Sequence, residues 1–198
     1  MLIVAAALLV ACGEEEVVGG ICDLCPTFQP LTARENVVNN LELSYNKRNF
    51  AEFDELLDSD FTFYFGGTIP AQWGRADETA VTMMLFDRDL NVPGVPVCRS
   101  IRVGLSLENG VQWVELPSPQ VLGEVWYTTT VYYEFTFEMA PDLTYIAVPG
   151  SQAQFTVRNA GTDDAPQWRL VEWRDLADNT ATNATTWGGV KSLYRAVD

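Results

Sequence analysis

The stretch from residue 124 to 139, EVWYTTTVYYEFTFEM, constrains the fold of this chain more than any other. Val125, Tyr127, Val131, Tyr133, Phe135 and Phe137 alternate with Glu124, Thr128, Thr130, Glu134, Thr136 and Glu138, a period of two that belongs to an extended strand with one buried face. At about 3.3 Å per residue the stretch makes a long strand. Two aromatics interrupt its polar face. Trp126 and Tyr132 are expected to point away from the core, toward water or a partner, and mark a candidate homodimer interface.

Other strands follow the same rule. Ile101, Val103, Leu105 and Leu107 alternate with Arg102, Gly104, Ser106 and Glu108. Ala153, Phe155 and Val157 alternate with Gln154, Thr156 and Arg158, and residues 168–175 form a last strand whose mixed alternation implies a bulge. Ahead of these lies helical patterning. Thr32 and Glu35 have the spacing of a capping box, and Val38, Leu41 and Tyr45 form one apolar stripe behind it. Asn49 and Glu52 repeat the capping logic before Phe50, Phe53, Leu56 and Leu57; Asp58, Ser59 and Asp60 turn the chain into the apolar strand FTFYF, and residues 76–86 suit a third helix. The Pro-rich loops at 91–97 and 116–120 are too short to separate domains. Three helices against one face of a bent antiparallel sheet is the architecture these elements predict, an α+β domain over residues 31–198.

The segment LELSYNKRNFAEFDELLDSDFTFYF resembles the start of the nuclear transport factor 2-like superfamily, the cone-shaped fold shared with SnoaL-like and ketosteroid-isomerase-like proteins. WRLVEWRDL and WGGVKSLYR are similar to the ends of bacterial lipoproteins of that superfamily with no assigned activity. The resemblance implies helices packed into the mouth of a bent sheet, with any ligand or proton chemistry in the cone between them. It also implies sheet-to-sheet pairing of two copies through the face that carries Trp126 and Tyr132.

The amino-terminal residues predict an address. Residues 1–11 carry no charge and are about half the roughly 20 residues needed to cross a bilayer, the length of a secretory apolar segment. The basic residues that normally precede such a segment are missing, which would place the true start upstream of Met1. Leu9, Val10, Ala11 and Cys12 resemble a bacterial lipobox: cleavage before Cys12 and acylation of its thiol would anchor the protein, at about 0.8 kcal/mol per buried methylene, with residues 12–30 as a tether. Gly13 after the cysteine, rather than an acidic residue, points to the outer membrane by resemblance to enterobacterial sorting. Cys22, Cys25 and Cys98 remain, an odd number. Gly19, Gly20 and Pro26 around Cys22 and Cys25 read as tether rather than as the strand and helix start of a redox pair. With no histidine and no second such pair, no metal site is expected. A structural disulfide, within the tether or from it to Cys98, is the expected use.

A net charge of −15 repels phosphate backbones, so nucleic acid is not an expected partner. For chemistry within the cone the candidate groups are Tyr45, Tyr64, Tyr127, Tyr133 and Asp175. Each also has a structural role open to it: tyrosines on apolar stripes are core with a hydroxyl at the rim, Asp175 beside Arg174 is an ion-pair partner or a turn acceptor, and Glu134 and Glu138 lie on a solvated face. No serine nucleophile or phosphate loop is present. No cofactor and no assignable catalytic residue are expected. A non-catalytic module, binding a small apolar ligand or an envelope protein, is the favoured reading; a ketosteroid-isomerase-like or dehydratase-like enzyme is the alternative.

Overall fold

The long alternating stretch forms β5 (Val125–Met139), hydrogen-bonded along one side to β6 (Leu143–Asn159) and along the other to β3 (Cys98–Leu107) and β4 (Val114–Pro117). This computed structural model describes residues 26–66, 72–107, 113–119, 124–140, 143–176 and 187–194. The expected signal peptide, Cys12, Cys22 and Cys25 lie outside the described residues. The remaining strands are β1 (Leu57–Tyr64), β2 (Gln72–Gly74) and β7 (Trp168–Asp175), and the sheet runs β2-β1-β7-β6-β5-β3 with β4 beside β5. One ladder departs from the antiparallel expectation. β1 runs parallel to β7, with Phe63 opposite Trp173, so the curled sheet is mixed.

Two irregularities bend it. The β5–β6 register shifts between Tyr133 and Phe135, close to Gly150, whose φ of 97° lies in the region that favours glycine. In β7, Leu170 pairs with Val157 and Glu172 with Thr156, leaving Val171 as the extra residue of the expected bulge.

Helices α1 (Arg34–Lys47), α2 (Phe50–Leu56) and α3 (Arg75–Phe86) pack on one face. The stripe of Val38, Leu41 and Tyr45 is buried, as its spacing predicts. The expected Thr32–Glu35 capping box does not form: the helix starts one residue later, with Ala33 at the N-cap, and Glu35 instead accepts the Trp113 indole N–H at 2.9 Å. Asn49 does cap α2, accepting from Glu52 N–H at 3.2 Å. Asp58 belongs to β1 rather than to a turn, because Arg158 on β6 grips its buried carboxylate at 2.6 and 2.7 Å.

The packed domain begins earlier than residue 31. Asn40 accepts the Gln29 N–H at 2.9 Å and donates to the Gln29 carbonyl at 2.7 Å, Lys47 donates to the Pro26 carbonyl at 2.7 Å, and Trp168 N–H donates to the Leu31 carbonyl at 2.8 Å. Residues 26–30, expected in the tether, are therefore held against α1. Cys98 is a buried free thiol beneath the Arg48 guanidinium, so the pairing to a tether cysteine is not formed.

A short fourth helix, α4 (Trp187–Ser192), enters the cone. Its Trp187 is 1 % exposed and is ringed edge-on by Tyr45, Tyr133, Phe135 and Phe137, with the Trp173 indole tilted at 4.7 Å. The neighbouring Gly188 leaves no room for a side chain: a Cβ there would come 2.6 Å from Cδ1 of Phe65. Gly188→Ala is expected to lower stability by about 1–3 kcal/mol through this overlap, seen as a shifted urea midpoint.

The expected exposure of Trp126 is corrected by the structure. Trp126 is 2 % exposed. Its cross-strand neighbours are Arg158 on β6 and Leu116 on β4, and Arg158 is drawn across the sheet by Asp58, Asp60 at 3.0 Å and Glu124 at 3.6 Å. The outer face thus carries an ion network at that end. Tyr132 is only half-buried.

Candidate functional site

α3 contributes a carboxylate to the interior of the cone. Glu78 lies on the apolar stripe of α3 with Val81, Thr82 and Leu85 and is fully buried. Its Oε2 accepts the Trp73 indole N–H at 2.9 Å, and its Oε1 pairs with Lys191 Nζ of α4 at 2.5 Å. Lys191 is itself fully buried, with its ammonium 4.0 Å from the centre of the Phe63 ring, 4.1 Å from that of Trp173 and 5.8 Å from that of Trp187. A charge out of water demands such compensation from a carboxylate and ring faces. Burial still outweighs the pull of Glu78 and lowers the Lys191 ammonium to about 8.

A second acid sits nearby. Asp175, at the end of β7, is 3 % exposed; its Oδ1 accepts the Tyr133 hydroxyl at 2.9 Å and its Oδ2 the Gly188 N–H at 3.2 Å. Of the two structural roles open to Asp175, ion pair with Arg174 or hydrogen-bond acceptor, the structure shows acceptance. Alternation along β7 turns Arg174 to the opposite face, where its guanidinium stacks on Tyr64 at 4.0 Å. Glu134 and Glu138 are exposed, as expected.

Of the five candidate pocket residues, the fold brings Tyr45, Tyr133 and Asp175 together around Trp187, while Tyr64 lies on the other side of β1 from Phe63. Tyr127 lines a separate surface cleft of about 720 Å³ with Arg34, Glu124, Asp163 and Trp168, where the Arg34 guanidinium lies 4.1 Å from the Tyr127 ring centre. Glu78, Trp73 and Lys191 escape a reading by residue type. Their signal was positional: Glu78 and Lys191 each interrupt the apolar stripe of a helix.

The phenols are electrostatically disfavoured as anions. Burial, then the Asp175 charge, raises Tyr133; burial, then Glu78, raises Tyr45; burial also raises Tyr194, whose hydroxyl faces Met139 Sδ at 3.4 Å. A raised native pKa means that the protonated phenol favours the folded state. This contribution is whole below the ordinary value near 10 and is lost as pH rises above it. Absorbance titration at 295 nm is expected to show these three tyrosines ionising only together with alkaline unfolding.

Tyr45 Oη, close to Thr82 and to Trp187, makes no hydrogen bond of good geometry with protein, and neither do Thr82 Oγ1 and Trp173 Nε1. Among the described residues no group of three or more His, Cys, Asp or Glu side chains could hold a metal ion, and no helix is long and apolar enough to cross a membrane.

No protein-family model and no curated protein matches the chain. Solved structures do. A protein of unknown function from Mycobacterium tuberculosis superposes with a TM-score of 0.50 at 16% identity, covering 81% of this chain and 86% of its own. A ketosteroid isomerase-like protein from Erwinia carotovora gives 0.46 at 14% identity over 75% and 97%. A protein of the NTF2-like family from Streptomyces avermitilis gives 0.44 at 13% identity over 70% and 88%. At these identities the likeness is one of fold.

Proposed function

We propose that this chain, which has the cone-shaped fold of the nuclear transport factor 2-like proteins, is a non-catalytic small-ligand-binding module tethered to the bacterial envelope through acylated Cys12. The observation that carries the reading is Trp187, an indole supplied by the chain's own last helix and seated among five aromatic rings of the cone. A chamber lined by body residues and filled by a separable side chain has the shape of a ligand site held closed. Both oxygens of Asp175 accept hydrogen bonds in the closed cone, from Tyr133 and from the backbone of α4, which gives this acid a structural role there.

In full-length Trp187→Ala, indole at millimolar concentration is expected to bind within the cone and raise the melting temperature. A folded variant that gains nothing from indole overturns the ligand-site reading. The anchor is tested separately. Cys12→Ser is expected to abolish labelling by fatty acid and to release the protein from membranes; unchanged pelleting refutes the tether.

One observation favours a second reading. Asp175 and Tyr133, in hydrogen bond at 2.9 Å, are an acid and a phenol of the kind an isomerase or dehydratase could use once α4 has left. Turnover of a small enolisable ketone by Trp187→Ala, lost in Trp187→Ala/Asp175→Asn, would put this reading ahead.

A further inference from the structure

The residues that surround the Lys191 ammonium come from the body of the cone. Glu78 is on α3, Trp73 on β2, Phe63 on β1 and Trp173 on β7; α4 contributes only the ammonium and, beside it, the Trp187 indole. Undocking α4 would leave a carboxylate fixed by an indole N–H and flanked by two ring faces, with Trp173 Nε1 making no hydrogen bond of good geometry beside it. Sealing an aromatic cone needs nothing but apolar side chains. A buried ion pair adds little to stability over apolar residues of similar volume, so its presence speaks to recognition. Carboxylate plus ring faces is the chemistry that selects an organic ammonium ion over a neutral compound of the same shape.

We infer that the cone recognises an aryl-alkylammonium compound, with Lys191 and Trp187 as the built-in substitutes for its charged head and its ring. This rests on the reading of the cone as a ligand site and adds the class of ligand. The ammonium of such a compound takes the place of Lys191 Nζ against Glu78, its ring takes the place of the Trp187 indole 5.8 Å away, and α4 is displaced. The net charge of −15 favours the approach of cations over anions.

The test uses the full chain. Wild-type protein is incubated with phenethylammonium or, at equal concentration, with 2-phenylethanol, and cleavage by trypsin after Lys191 is followed by mass spectrometry. Because Lys191 is buried while α4 is docked, the ammonium is expected to speed this cut by about tenfold or more and the alcohol to leave it unchanged. In Lys191→Ala, n-propylammonium is expected to raise the melting temperature, or the refolding yield where the variant is unfolded, while 1-propanol does not. In Glu78→Gln/Lys191→Ala that preference for charge is expected to vanish. The proposal is overturned if alcohol and ammonium act alike on the wild type or if neither accelerates the cut. Indole binding to Trp187→Ala alongside such a result would leave a ligand site for neutral compounds, and its absence would remove the ligand site altogether.

Discussion

Trp187→Ala is expected to lower the stability of the domain by about 3–5 kcal/mol, the range for deleting a fully buried large aromatic. The magnitude belongs to the upper part of that range because the indole touches walls that cannot collapse together. Tyr45 is fixed on α1, Tyr133, Phe135 and Phe137 on β5, and Trp173 on β7, so the hole stays open. Urea unfolding followed by circular dichroism measures the loss. A change below about 1 kcal/mol would mean that α4 contributes nothing to the closed cone.

Lys191→Met is expected to cost about 3–5 kcal/mol, because it keeps the stem and leaves the Glu78 carboxylate buried without its cation. Glu78→Gln/Lys191→Met should recover most of that loss, since a neutral amide can still accept from Trp73. The pair also predicts a pH dependence. The native ammonium loses its proton at about 8, against an ordinary 10.5. Between those values the unfolded chain binds more protons than the folded one, so this group adds stability as pH rises. Wild-type stability relative to Lys191→Met should therefore begin to increase as pH goes from 7 to 9, and a relative decrease would refute the assignment.

The helices and most strands were legible because each buries one face, and one face leaves a period in the sequence. The stripe ending at Tyr45, the alternation from Val131 to Phe137 and the bulge at Val171 all follow from that rule. Trp126 defeated it because the outer face near the start of β5 is not open to water. What covers it is Arg158, brought there by Asp58 and Asp60 from 98 to 100 residues away, which no local pattern records. Within the site, residue type alone pointed to Tyr45, Tyr133 and Asp175, and the fold brings them together. Glu78 and Lys191 were hidden for the opposite reason: a charged side chain on a helix reads as solvated until the 113-residue separation between the two is closed.

The parallel ladder between β1 and β7 governs the order in which the chain can assemble. Its partners, Phe63 with Trp173 and Tyr64 with Arg174, lie at opposite ends of the domain sequence, whereas β5 and β6 pair through a short connection. Contacts of such separation form late, because a long loop must close before they contribute. As the polypeptide emerges amino terminus first, β1 therefore waits, with Phe63 lacking its Trp173 neighbour, until the last strand arrives. A nascent chain shortened before β7 is expected to be protease-sensitive throughout, so that the domain matures in one step at the end of synthesis rather than by successive layers.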